Sequence, residues 1–201
     1  MQKELRYSSS IKDMPLMFSE MKRTALLLCE DKSREEIIRL SVENNIFQYD
    51  KEKRRREVPV CMIRRLSTIS KPLVEVIATG QTEDAKLITL LALIKSDRLL
   101  FEYMNEVFAD TFYNGRDEVT DKDFLDFITR KAEYSEVVAK WTPVNLKNVR
   151  GQIKSILCEV GLAKRTKDSL IIQKPFIENK ILSLIDDNDK NYAKAMLLEV
   201  Y

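Results

Sequence analysis

The chain contains no histidine. That absence removes the side chain most often used as a general base at neutral pH and as a ligand for transition metals, so it excludes a Ser-His-Asp triad, a Cys-His pair and any histidine-based zinc site. Glycine and proline are scarce, four and five among 201 residues, which favours long helices over a sheet-rich fold with many tight turns. Cysteine is limited to Cys29, Cys61 and Cys158, far apart, each among apolar residues and none in a C-x-x-C pair; buried reduced thiols are expected. No charged-then-apolar leader opens the chain. Its longest apolar run, Leu90 to Ile94 with Leu87 and Ile88 beside it, is far below the roughly 20 residues needed to span a bilayer. The expectation is a soluble, cytoplasmic protein without a membrane partner.

What is present is 44% hydrophobic and 33% charged, with a formal net charge of +2; this is enough apolar material for one sizeable core or two small ones. Ser33-Arg34-Glu35-Glu36 reads as a capping box opening a helix. Pro59 falls amid helical spacing, so a helix should either start or kink there. Thr82 to about Phe112 is apolar on more than one face and predicts a central buried helix or pair of helices. Thr120-Asp121-Lys122-Asp123 and Thr142-Pro143 are helix starts. Leu162–Thr166 and Ser169–Gln173, joined by Lys167-Asp168, alternate as a short hairpin would. The fold class is therefore mainly α: a compact multi-helix globule with a smaller C-terminal, winged-helix-like part whose pattern allows one short β-hairpin. The Asn114-Gly115 turn divides residues 1–115, a helical bundle carrying the basic segment 51–65, from residues 116–201.

Charge is distributed unevenly. Glu102 to Asp126 holds eight acids against two bases, and Lys140 to Lys174 holds eight bases against two acids, a polarity that can create a positive surface on a nearly neutral molecule. In the helix after Pro143, Leu146, Val149, Ile153, Ile156, Leu157 and Val160 cluster within about 100° and must face the core. Lys147, Arg150 and Lys154 flank one side of the outward face, Asn145 and Gln152 the other, with Gly151 between. Cations there can neutralise phosphates and amides can meet base edges. The hairpin would add Lys164, Arg165 and Lys167. A second cluster, Arg54, Arg55, Arg56, Arg64 and Arg65, sets five arginines against Glu57 within twelve positions, and arginine suits phosphate forks. The alternatives are a merely solvated helix face and, for the arginines, ion pairing with the acidic helices.

Other features point away from chemistry. Asp186-Asp187-Asn188-Asp189 lacks the glycine and terminal glutamate of a calcium loop and reads as a helix cap. Asp121 and Asp123 also sit in a cap. Trp141 and Tyr134 are expected to pack between helices.

The order of several short segments is similar to that of the BrxA family of bacteriophage exclusion (BREX) phage-defence systems: R-Y-S-S-S-I at Arg6–Ile11, E-N-N-I-F-Q at Glu43–Gln48, M-I-R-R-L at Met62–Leu66, D-R-L-L-F-E at Asp97–Glu102, T-D-K-D-F-L-D-F at Thr120–Phe127 and I-L-C-E-V-G-L at Ile156–Leu162. The resemblance implies a non-enzymatic, mainly helical protein with a positive, DNA-binding surface, acting beside a methyltransferase, an ATPase and other BREX components. No catalytic residue, metal ligand or cofactor is assigned. Double-stranded DNA, held chiefly through phosphates, is the expected ligand. The alternative is an adaptor that docks other BREX subunits and meets DNA only indirectly.

Overall fold

The computed structural model describes residues 5–199. Its chain divides into two units: Leu16–Ser96, and Asp97 onward together with the residues before Leu16. This division falls eighteen residues before the Asn114-Gly115 turn. The Thr82–Phe112 stretch is a pair of helices, Thr82–Ile94 and one beginning at Arg98, and each is buried in its own unit. Asp97 caps the second of them by accepting a hydrogen bond from the Leu100 amide at 3.0 Å.

The unit Leu16–Ser96 is helical: α1 (Phe18–Cys29), α2 (Arg34–Glu43), α3 (Glu52–Leu66), α4 (Lys71–Thr79) and α5 (Thr82–Ile94). Helix α5 forms its centre. Leu87, Ile88, Leu90, Leu91, Leu93 and Ile94 are all buried, as befits a helix that is apolar around its circumference. Helix α2 opens with the expected capping box, Ser33 and Glu36 exchanging side-chain to backbone hydrogen bonds.

Of the two expectations for Pro59, the helix start is not observed: it lies inside α3. A proline at this depth leaves the carbonyl four residues back, that of Arg55, without its intrahelical donor. The buried hydroxyl of Ser41, on α2, donates to that oxygen at 2.6 Å. The neighbouring helix thus supplies the hydrogen bond that proline removes. Ser41→Ala is expected to cost about 1–3 kcal/mol, the range for a buried acceptor left unpaired, and urea unfolding of the variant would measure it.

The second unit contains one continuous helix in three registers: α6 (Arg98–Tyr103), a π-helical turn (Met104–Ala109) and α7 (Asp110–Tyr113). There follow β1 (Glu118–Thr120), α8 (Asp121–Tyr134), α9 (Glu136–Ala139), α10 (Pro143–Glu159), β2 (Ala163–Arg165) and β3 (Ser169–Ile172). Short helices α11 (Asn179–Leu182) and α12 (Lys190–Ala195) come last. Asp186 accepts from the Asn188 amide and caps a 3-10 turn, Asp187–Asp189, that leads into α12, so the run is a cap, but of this turn and not of the helix after it. The expected hairpin forms between β2 and β3, and β1 joins it, giving an antiparallel sheet of order β1-β3-β2. Val119 pairs with Leu170, and both are buried. Tyr103 packs against Phe124 and, edge-on at 5.5 Å between centroids, against Phe127. Each such ring contributes on the order of 2–3 kcal/mol through burial.

Candidate nucleic-acid interface

Helix α10 is set by its two ends. The Thr142 hydroxyl accepts from the Asn145 amide, with Pro143 at the first helical position. At the other end Gly161 adopts φ +76°. The Leu162 amide donates to the Leu157 carbonyl at 2.9 Å and the Gly161 amide to Cys158 at 3.2 Å, a paired closure that glycine favours because only it enters the left-handed region without cost. The chain leaves this turn directly into β2, so the hairpin is held against α10.

The eight bases of the Lys140–Lys174 zone divide into two groups of four. Lys140 pairs with Glu136 at 3.5 Å, and Lys174 with Glu199 at 2.6 Å. Arg150 pairs with Asp121 at 3.0 Å, and Lys154 reaches the other oxygen of the same carboxylate. Lys147, Lys164, Arg165 and Lys167 are exposed and make no ion pair among the described residues. Lys154, with a relative exposure of only 9%, is thereby corrected from an outward-facing cation to an internal one. Arg150 is half-buried and likewise committed to Asp121. The cause is the start of α8, which places an acid against this side of α10.

The amide side also differs from expectation. Asn145 is half-buried, and its Oδ1 accepts from the Lys12 ammonium at 2.8 Å. Gln152 is half-buried, whereas Asn148, outside the predicted set, is exposed. Val144 is 68% exposed, so the middle of the outward face runs Val144, Asn148, Gly151, Ser155, with Lys147 at its edge. Tyr134, expected to pack between helices, is instead 87% exposed.

The arginine cluster of α3 is split by the same helix. Arg65 is buried, with Nη1 donating to the Leu16 carbonyl at 3.5 Å, because an apolar stripe of Val58, Met62 and Leu66 carries it inward. Arg55 is half-buried and donates through Nε to the Tyr49 carbonyl at 2.7 Å. Arg54 is half-buried. Arg56 and Arg64 lie on the solvent stripe; Arg56 pairs with Glu52 at 2.6 Å, and Arg64 touches the Cys61 sulfur at 3.8 Å. The five arginines therefore present two to solvent, not one continuous block.

Lys12 reaches Asn145 because the first described residues are fastened to the second unit. Tyr7 donates to Glu102 at 2.7 Å, and its ring lies 4.3 Å from the Arg98 guanidinium carbon. Arg98 and Lys131 each bind the Glu102 carboxylate at 2.7 Å, and Lys131 also meets Glu106. Burial pushes the Glu102 carboxyl upward, but hydrogen bonds from Lys131, Arg98 and Tyr7 outweigh it and hold the group below its ordinary value. A carboxyl lowered in the folded state stabilises the protein above its unfolded pKa, and that contribution is lost as pH falls through the folded value. Acid unfolding monitored by circular dichroism should therefore show a steeper loss below about pH 4.5 in the native protein than in Glu102→Gln.

Among the described residues no helix is long and apolar enough to cross a membrane, and no three His, Cys, Asp or Glu side chains gather as a metal-binding group. The solved crystal structure of an uncharacterized protein from Magnetospirillum magneticum has the same fold, with a TM-score of 0.79 and 22% sequence identity over 96% of this chain and 98% of that one. A curated relative, the BREX protein BrxA of Bacillus cereus (strain H3081.97), is 35% identical over 185 residues, 92% of each chain. The BrxA family profile matches residues 5–189, and with these likenesses spanning nearly its whole length, the chain belongs to the BrxA family of BREX phage-defence proteins.

Proposed function

We propose that the protein is a non-enzymatic DNA-binding component of a BREX system that engages duplex DNA chiefly through phosphates, using the outward face of α10 and the β2–β3 hairpin. The observation that supports this reading is the order β1-α8-α9-α10-β2-β3 with sheet order β1-β3-β2, which is similar to the connectivity of a winged helix-turn-helix. In such a unit the helix before the hairpin enters the major groove and the hairpin lies along the adjacent backbone. The four zone cations that make no ion pair among the described residues fall on those two elements, Lys147 on α10 and Lys164, Arg165 and Lys167 on β2 and its turn. Arg56 and Arg64 on the solvent stripe of α3 offer a second phosphate-binding group on the other unit.

A second reading, docking to another BREX protein such as the methyltransferase or the ATPase, is favoured by Tyr134 and Phe176, at 87% and 86% exposure, since large exposed apolar side chains suit protein partners. Salt separates the two. Binding to a fluorescein-labelled mixed-sequence 24-base-pair duplex, followed by anisotropy, should weaken with a log–log slope of about −3 to −4 for four phosphates neutralised. An affinity indifferent to salt, or no binding at low salt, would reject the DNA reading.

A further inference from the structure

Lys12 lies in a 3-10 turn, Ser10–Lys12, that packs on α10 through the buried Ile11. Its Nζ sits 2.8 Å from Asn145 Oδ1, although 133 residues separate the two in sequence. An ammonium has donors only, so this bond determines which way the amide faces: oxygen toward Lys12, NH2 turned away. We propose that Lys12 is a positioning residue that holds Asn145 with its oxygen inward and its NH2 outward, so that this side of the first turn of α10 presents a donor to DNA. The inference rests on the DNA reading above and adds a specificity consequence to it.

The consequence follows from hydrogen-bond chemistry. An asparagine that reads adenine does so with both atoms, its oxygen accepting from N6 and its nitrogen donating to N7. The oxygen keeps a second lone pair, but with that oxygen oriented toward Lys12 the bidentate contact is disfavoured for Asn145, and the outward NH2 suits acceptors: phosphate oxygens, or guanine O6 and N7. Lys12 also brings a charge to the amide side of α10, opposite Lys147, compensating for Arg150 and Lys154, which Asp121 withdraws. The groove-facing end of the helix is then flanked by a cation on each side.

A double-mutant cycle on the full chain with the same duplex tests this. Lys12→Ala and Asn145→Ala are each expected to weaken binding about three- to tenfold, the value of one hydrogen bond, and the double variant should be no weaker than the worse single. Lys12→Arg, which keeps a donor, should restore affinity. Asn145→Asp should keep the melting temperature, since a carboxylate still accepts from Lys12, yet bind more weakly than Asn145→Ala, because it turns an acceptor toward DNA. Additive losses, or a Lys12→Ala variant that binds normally, would overturn the inference while leaving the DNA reading in place. A native protein that binds no DNA at low salt would overturn both.

Discussion

Replacing Lys147, Lys164, Arg165 and Lys167 together by glutamate is expected to lower affinity for duplex DNA by at least about 10³-fold at 0.1 M salt. Each phosphate neutralised contributes a slope of about 0.9 in log affinity against log salt, so removing all four cations costs roughly 3.6 log units relative to a 1 M reference. Glutamate adds repulsion beyond that loss. The four side chains are exposed and make no ion pair among the described residues, so the melting temperature should change little, as surface substitutions usually stay within about 0.5 kcal/mol each. A parallel set that reverses Arg150 and Lys154 would be a poor probe, because those two are already bound to Asp121 inside the fold.

Asp121→Asn is expected to move stability and affinity in opposite directions. The carboxylate bridges Arg150 and Lys154, and the Lys154 side chain is only 11% exposed. Removing its counter-charge leaves a nearly buried ammonium uncompensated. The cost should be about 2–3 kcal/mol, below the 3–5 typical of a fully buried pair because Asp121 itself retains access to water. The helix cap is not the cause, since Thr120 and Asp123 still form their capping box. At the same time Arg150 is released beside Lys147, and one further phosphate neutralised would raise affinity about eightfold at 0.1 M salt with a steeper salt slope. Chemical denaturation and anisotropy on the same preparation would measure both; a variant that lost stability without gaining affinity would argue that this side of α10 does not face DNA.

Local signals in the sequence recovered those elements whose causes are local. The Ser33 and Thr120 caps, the Thr142-Pro143 start of α10 and the β2–β3 hairpin all depend on residues within a few positions of one another, and they appear where the spacing places them. Pro59 shows the limit. Its tolerance inside α3 depends on Ser41, which lies eighteen positions away on another helix, and no helical periodicity reports such a donor. The break at Asp97 carried a legible cap, yet the apolar run on both sides of it hid the boundary between two cores. Strand β1, three residues long with a single buried valine, gives no periodic signal and exists because β3 offers it an edge.

The candidate site was legible in part for the same reason. A helical wheel separates inward from outward, and it placed Val149, Ile153 and Leu157 correctly in the core. It cannot show what approaches the flanks. Asp121 arrives from α8 to take Arg150 and Lys154, and Lys12 arrives from the start of the chain to take Asn145. In α3 the wheel carries Arg65 inward, three turns on from the half-buried Arg54, so a run of basic residues in sequence is not a run of basic surface.

Whether α10 and the hairpin hold DNA is read most directly by titrating 15N-labelled protein with a short duplex at low salt and following the amide chemical shifts. DNA bound as proposed should give the largest changes along residues 144–155 of α10 and 163–168 of the hairpin, with α5 unmoved. Changes confined to α3, or to the surroundings of Tyr134 and Phe176 with α10 and the hairpin silent, would contradict it.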